Sequence, residues 1–189
     1  MNNVQGYHPR GYSITRPPGH HAQCGSSAGF CIFNNIAIAA KVAKAAGKRV
    51  CIFDWDIHHG DGTQREFYND EKVLFISLHR SDKLQYYPYN KDMAPEYIGE
   101  GKGKYFTVNV AWETHSEKVD EANRQQPNDT QISQLGNNEY KYACDNLLFP
   151  MVREFKPDII LVSCGFDGAI HDLIGWCNLS PMLYAYMTF

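Results

Sequence analysis

Arg49-Val50-Cys51-Ile52-Phe53-Asp54-Trp55-Asp56-Ile57-His58-His59-Gly60 decides the fold. Val50 to Phe53 is a short apolar run rich in strand formers and without strict alternation. That pattern marks a strand buried on both faces, and such strands belong to parallel sheets. Polar residues follow the run at once. In open α/β sheets, sites form outside the carboxyl ends of the strands. Where a chain stays extended, residues i, i+2 and i+4 share a face, so Asp54, Asp56 and His58 are expected to converge. A bare Asp-x-His reads first as a salt-bridged strand end. Three polar groups directly after a buried strand favour a site, and a carboxylate with an imidazole is a natural start to a zinc centre.

Working outward, residues 34–46 are Ala-rich, start on Asn34 and stop at Gly47, which predicts a helix. Gly60-Asp61-Gly62 turns the chain into a short helix over Thr63–Tyr68. Further strands are expected at Val73–Leu78 and Tyr105–Val110. From about 113 to 137 the chain is polar, which reads as an exposed loop or partly disordered insertion. Helix is expected again over 138–155, where Cys144, Leu147, Leu148, Met151, Val152 and Phe155 form one stripe. Pro150 should kink it and Pro157 ends it. Asp158–Ser163 is the clearest buried strand by pattern. Alternating strands and helices predict one α/β domain with a mostly parallel sheet flanked by helices.

A catalytic zinc needs a third protein ligand and an open position for water. Asp167, in Gly165-Phe166-Asp167, also follows an apolar strand and is the best candidate. Spacing alone leaves Fe²⁺ open beside Zn²⁺. Arg16-Pro17-Pro18-Gly19-His20-His21-Ala22 is a stiff turn that presents two adjacent imidazoles. A hydrolase that activates water needs a general base and an acid for the leaving amine. Paired histidines suit that role if carboxylates set their tautomers, and Asp54 and Asp61 are available. His59 and His79 read as structural, and His8 and His115 as solvated. Tyr86-Tyr87-Pro88-Tyr89 fits a narrow apolar pocket or an exposed turn equally well.

The 189 residues carry a net charge of −3 with 43% hydrophobic and 21% charged residues, ordinary for one soluble domain with a core. Lys and Arg are scattered, so direct nucleic-acid binding is not expected. No run is long enough to span a membrane, and Met1–Gly6 does not read as a signal peptide. The six cysteines form no Cys-x-x-Cys pair, which suggests free thiols in a reducing, intracellular setting.

Five motifs in order, RPPGHHA (16–22), GFCIFNN (29–35), DWDIHHGDGT (54–63), VLFISLHR (73–80) and LVSCGFD (161–167), resemble the class II histone deacetylases of the arginase–deacetylase fold. Trp55 and Thr63-Gln64 favour class II and lie close to its tubulin-deacetylating branch. The resemblance implies a zinc-dependent hydrolase of the acetyl amide of acetyl-lysine, in histones or other proteins such as tubulin. It implies Asp56, His58 and Asp167 as zinc ligands. His20 and His21 match the histidine pair, with His21 as general base and acid and Asp54 and Asp61 as orienting partners. Class II members often carry Asn at the position of Asp61, and the carboxylate raises the basicity of its histidine more. Gly29 and Phe30 match one wall of a substrate tunnel and Tyr87 the other, where Phe is commoner. Asp54, Asp56, His58, Ser77 and Leu78 match a structural potassium site.

The resemblance further implies acetylated histone tails or other acetylated proteins as partners, corepressor-type proteins beside them, and a place in nucleus or cytoplasm. Three departures are visible. The family domain is roughly twice this length, so the chain reads as a partial catalytic domain, truncated at both ends. No Gly-Gly-Tyr-type segment with its oxyanion tyrosine occurs here; Tyr184 and Tyr186 lie in a different segment. One such donor is worth about 10²–10³ in rate. After Asp167, His171 and Leu173 stand where the family has Gly and Pro, which predicts a disturbed turn. Alternatives are a catalytically impaired paralogue acting as a binding module, or an acetylpolyamine amidohydrolase.

Overall fold

The computed structural model describes residues 10–114 and 135–188. Met1–Gly6, His8, His115 and most of the polar 113–137 segment lie outside the described residues. β1 (Val50–Asp54) is buried at every position and lies inside a four-stranded sheet of order β3-β2-β1-β4. Its companions are β2 (Val73–Arg80), β3 (Thr107–Trp112) and β4 (Ile159–Ser163), and every pairing is parallel.

The pleat divides the apolar side chains between two layers. Val50 and Ile52 of β1, with Val73 and Phe75 of β2, pack on Ala37 and Ala40 of α1 (Asn35–Ala45) and Phe67 of α2 (Asp61–Phe67). Cys51, Phe53, Leu74, Ile76 and Leu78 face the other way. They meet Tyr140 of α3 (Asn137–Ala143), Phe155 of α4 (Phe149–Phe155), and Leu183, Tyr184 and Met187 of α5 (Pro181–Thr188). Period-two alternation within a continuously apolar strand therefore feeds two cores at once. This is the expected α/β architecture, with helices on both faces of a parallel sheet.

Local signals explain most boundaries. Asn34 caps α1 by accepting from the Ala37 N–H at 2.9 Å, and Gly47 leaves the helix at φ 79°. β3 starts two residues later than its sequence pattern suggests. Tyr105 (φ 75°) donates to the Ile98 carbonyl and Phe106 to that of Gly103, so both belong to a turn. The helix expected over 138–155 is divided. Pro150 has no N–H to offer, and the chain inserts a π turn at Cys144–Leu148 in which the Phe149 N–H reaches Cys144. The extra residue rotates the stripe: Cys144, Leu148 and Phe155 stay buried while Leu147 turns outward.

β4 corrects the sequence reading. It forms as expected, but it is the edge of the sheet rather than its best-buried strand. Leu161 and Val162 pack against the two cores, whereas Ile159 and Ile160 are 38% and 52% exposed. An apolar run reports strand propensity and cannot say how far the flanking helices reach. Ile52→Ala, at a site with no exposure, is expected to lower the unfolding free energy by about 2–5 kcal/mol. Ile160→Ala is expected to cost less than about 1 kcal/mol, the two being compared by urea denaturation of the full chain.

Candidate metal centre and histidine pair

β1 and β4 run side by side with Asp54 opposite Ser163. The loops that follow therefore leave the sheet at the same level. The Trp55 N–H extends the ladder to the Ser163 carbonyl at 3.3 Å, and the Ile57 N–H donates to Asp167 Oδ1 at 3.0 Å. The chain does not stay extended. It bends at 56–58, where the His58 N–H returns to Asp56 Oδ1 at 2.8 Å. Asp54, Asp56 and His58 thus do not share one face, as extended geometry would require. Asp54 turns to His20, and Asp56 and His58 turn to Asp167.

One ligand atom from each of Asp56, His58 and Asp167 lies within 4.8 Å of the others. His58 Nδ1 sits 2.8 Å from Asp167 Oδ2 and 3.0 Å from Asp56 Oδ1. A Cβ at Gly165 would overlap the Asp56 carboxylate, so glycine is what lets the two loops close. Two carboxylates and one imidazole that converge in this way fit a divalent cation of the zinc type. Among the described residues this is the one such cluster, and His171 is not part of it.

The charges sharpen that fit. Burial lowers the His58 imidazole, but Asp167 and Asp56 outweigh it and raise it to about 9. Burial and the nearby Asp56 charge push Asp167 up. Burial would raise Asp56 too, yet the His20 and His58 charges hold it well below the usual carboxylate range. In the metal-free protein a proton therefore occupies the place that suits a cation.

The histidine pair is fixed from both sides. A Cβ at Gly62 would strike the backbone of His20–Ala22, and the Thr63 N–H donates to the His20 carbonyl at 3.1 Å. His20 Nδ1 lies 2.9 Å from Asp54 Oδ2, and His21 Nδ1 lies 2.7 Å from Asp61 Oδ1. The two rings are 4.0 Å apart, yet their environments differ. Burial lowers His20, but Asp54 and Asp56 more than compensate and hold it up to about 10. Asp54 is itself pushed up by burial, so the His20–Asp54 pair retains a proton across the neutral range. Burial lowers His21, and the neighbouring His20 charge adds to that against the pull of Asp61, leaving it below its ordinary value. Adjacent titratable groups pushed apart are a sign of divided acid–base roles.

The remaining site residues fall around this pair. Tyr87 meets the His21 ring edge-on at 4.9 Å. A Cβ at Gly29 would overlap the His21 ring and press on Tyr87, so Gly29 packs closely against both. Phe30, at φ 64°, is 86% exposed at the rim. Ser77 lies abreast of Asp54 on β2, followed by Leu78. His59 and His79 are fully buried and serve the framework. His59 Nε2 bonds Gln64 at 2.8 Å, and His79 bonds Ser77 and the Met93 carbonyl at 2.9 and 2.8 Å. In the loop after Asp167, Asp172 Oδ1 accepts from the Ile174 and Gly175 N–H groups at 2.7 and 2.8 Å; His171, where the resemblance has Gly, takes φ 72°, a left-handed conformation that favours glycine, and Leu173 is exposed.

Sequence reading missed a brace. The Arg80 guanidinium lies 4.1 Å over the Tyr86 ring, and Tyr86 stacks on His58 at 4.9 Å with 14° between planes. Arg80 Nη1 donates to the Gly175 carbonyl at 2.8 Å and the Tyr86 hydroxyl to that of Ile174 at 3.1 Å. One stack thus supports both His58 and the loop that carries Asp167. The only signals were an Arg after a strand and an extra Tyr before Tyr87, neither of which has a diagnostic spacing.

The histone deacetylase domain family matches residues 2–189. Histone deacetylase HDA1 of Candida albicans is 41% identical over 98% of this chain and 20% of its own length. Histone deacetylase 6 of Caenorhabditis elegans is 42% identical over 93% of this chain and 17% of its own length. The crystal structure of the HDA15 HD domain superposes with a TM-score of 0.79 at 38% identity, over 92% of this chain and 44% of that one. The chain thus spans about a fifth of the curated relatives it matches.

Metal ligation needs a neutral imidazole, so a cation must displace the proton that His58 holds below about pH 9. Zinc affinity is accordingly expected to fall as pH drops from 9, by up to about tenfold per unit, with about one proton released per zinc at pH 7. Titration calorimetry in buffers of different ionisation enthalpy measures both. Tyr86→Leu, which removes the stack on His58, is expected to weaken zinc binding by about tenfold, read by competition with a chelating dye.

Proposed function

This chain belongs to the histone deacetylase family, and we propose that its site hydrolyses the acetyl amide of N6-acetyl-lysine in histones or other acetylated proteins. The observation that carries this reading is the placement of the His21–Asp61 pair beside the Asp56–His58–Asp167 cluster, with the two rings His21 and His58 at 6.0 Å. Asp56, His58 and Asp167 would hold Zn²⁺. A zinc ion there supplies Lewis-acid polarisation of the acetyl carbonyl and makes water acidic enough to be a nucleophile near neutral pH.

His21 donates Nδ1–H to Asp61, which leaves Nε2 as the basic atom. Its lowered pKa keeps it neutral near pH 7, ready to take a proton from water and return it to the departing lysine amine. His20, protonated against Asp54, supplies positive charge next to the reacting carbonyl without titrating in that range. Gly29, Phe30 and Tyr87 form the walls that guide an acetylated side chain inward. Asp54, Asp56, His58, Ser77 and Leu78 are where we place a monovalent ion such as K⁺, with Asp54 and Ser77 paired across β1 and β2. Acetylated histone tails and other acetylated proteins are the substrates we infer, with corepressor-type proteins as partners in nucleus or cytoplasm.

The test uses the full chain loaded with zinc and an acetyl-lysine peptide. Asp167→Ala is expected to lose both zinc and turnover. His21→Ala is expected to keep zinc while kcat falls by about 10²–10⁴. Well-folded chain that takes up no zinc, or His21→Ala with undiminished kcat, would refute the reading.

A further inference from the structure

Asp61 is held by more than His21. Its second oxygen, Oδ2, accepts from Gln23 Nε2 at 2.8 Å. The other end of the same amide, Gln23 Oε1, accepts from the Arg65 guanidinium. Arg65 in turn reaches Asp92 Oδ2 at 3.5 Å. A chain of polar contacts thus runs from a surface arginine to the imidazole: Arg65, Gln23, Asp61, His21. We propose that Gln23 and Arg65 are positioning residues for His21, acting through Asp61 to fix its carboxylate plane; this rests on the reading of His21 as the general base.

Three features point to a positioning role rather than a surface turn alone. First, the Gln23 backbone is anchored independently of its side chain. Its N–H and carbonyl are both paired with Ser26, at 3.0 and 3.2 Å, in a turn that Gly25 completes at φ 79°. Second, Asp61 and Arg65 are four residues apart on α2 and share a face, where a carboxylate and a guanidinium ordinarily pair directly. Here the Gln23 amide stands between them. Third, the amide has an acceptor at one end and a donor at the other, so its orientation is unambiguous. A primary amide is the side-chain group that donates to Asp61 while accepting from Arg65.

The consequence is geometric. With Oδ1 on His21 and Oδ2 on Gln23, the carboxylate cannot rotate without breaking a charge-assisted hydrogen bond. His21 then keeps one tautomer and one ring orientation, with Nε2 directed into the site. Arg65 polarises the amide from outside and strengthens its grip on Asp61. Hydrogen-bond partners that orient a site residue commonly change affinity or activity by about 10–100-fold when removed.

The test uses the full chain with 15N-labelled histidine, with and without zinc. His21→Ala identifies the hydrogen-bonded His21 Nδ1–H resonance. Gln23→Met, which keeps the side-chain length and removes both hydrogen bonds, is expected to shift and broaden that resonance; Arg65→Met should shift it less. With zinc and an acetyl-lysine peptide, Gln23→Met is expected to lower kcat about tenfold and leave KM within about twofold. In an Asp61→Asn background the same change should add nothing, as two members of one relay do. Gln23→Glu, which sets a second carboxylate against Asp61, should be worse than Met at equal zinc content and thermal midpoint. An unmoved His21 resonance, or equal kcat losses in both backgrounds, overturns the proposal. Absence of turnover in the unaltered chain would instead refute the deacetylase reading, and the resonance would still decide the relay.

Discussion

Everything at the site depends on the parallel pairing of β1 with β4. That pairing sets Asp54 level with Ser163, so the two loops that carry Asp56, His58 and Asp167 emerge at one height. Parallel strands need a long crossover between them, and among the described residues this one includes β2, β3, α2, α3 and α4. Residues more than a hundred positions apart therefore meet within hydrogen-bonding distance. The price is two carboxylates held close together in a largely dry place. Alone they would repel, and one would be driven to protonate. His58, between them at 2.8 and 3.0 Å, supplies the compensating charge in the metal-free protein.

The sheet and the Asp56–His58–Asp167 cluster were legible because their signals are local. β1 and β2 announce themselves as continuous apolar runs, and α1 carries both its Asn start and its Gly stop. Asp56, His58 and Asp167 stand just past strands, where parallel sheets place their chemistry. The exposure of β4 was not legible, because burial at a sheet edge depends on how far distant helices extend. The π turn at Cys144–Leu148 was half legible: Pro150 announced a disruption, but a kink and an inserted residue look alike in sequence. Extended geometry correctly grouped the residues after β1 but gave the wrong grouping among them. The bend at 56–58 is made by two local bonds, from the Asp56 N–H to Asp54 and from the His58 N–H to Asp56, and by one from the Ile57 N–H to the distant Asp167, which no local pattern announces. The Arg80–Tyr86 brace and the Gln23 bridge were invisible for the same reason.

A buried polar framework connects the 84–97 segment to the sheet. His79 on β2 donates its Nε2–H to the Met93 carbonyl and accepts at Nδ1 from the Ser77 hydroxyl. Gln64 on α2 and Asn109 on β3 both donate to the Asp92 carbonyl, at 2.6 and 3.1 Å. These bonds pin the 90–97 segment across the strand ends. Burial lowers His59 to about 4 and His79 well below the usual imidazole value, so both stay neutral and hold their bonds at ordinary pH. The segment ahead of this anchor, 84–89, carries Tyr86 under His58 and Tyr87 beside His21. Lys91–Met93 forms one short 3-10 turn here, and the segment is held by these polar contacts together with the fully buried Met93.

His21 experiences two opposing fields, and that opposition explains why Asp61 needs support. A divalent cation in the Asp56–His58–Asp167 cluster would replace the His58 proton with a larger positive charge, which adds to the charge on His20. Both depress the basicity of His21. A base that is too weak cannot take a proton from water, however well it is aimed. Among the described residues Asp61 is the one carboxylate bonded to His21, and its pull falls off if it turns away, because the charge-assisted bond at 2.7 Å is directional. In the proposed reading a bound cation and the His21–Asp61 pair would therefore be coupled: the larger the positive charge nearby, the more firmly Asp61 must be held for His21 to remain basic. A second partner on Asp61 is what that balance requires, and Gln23 is the residue placed to provide it.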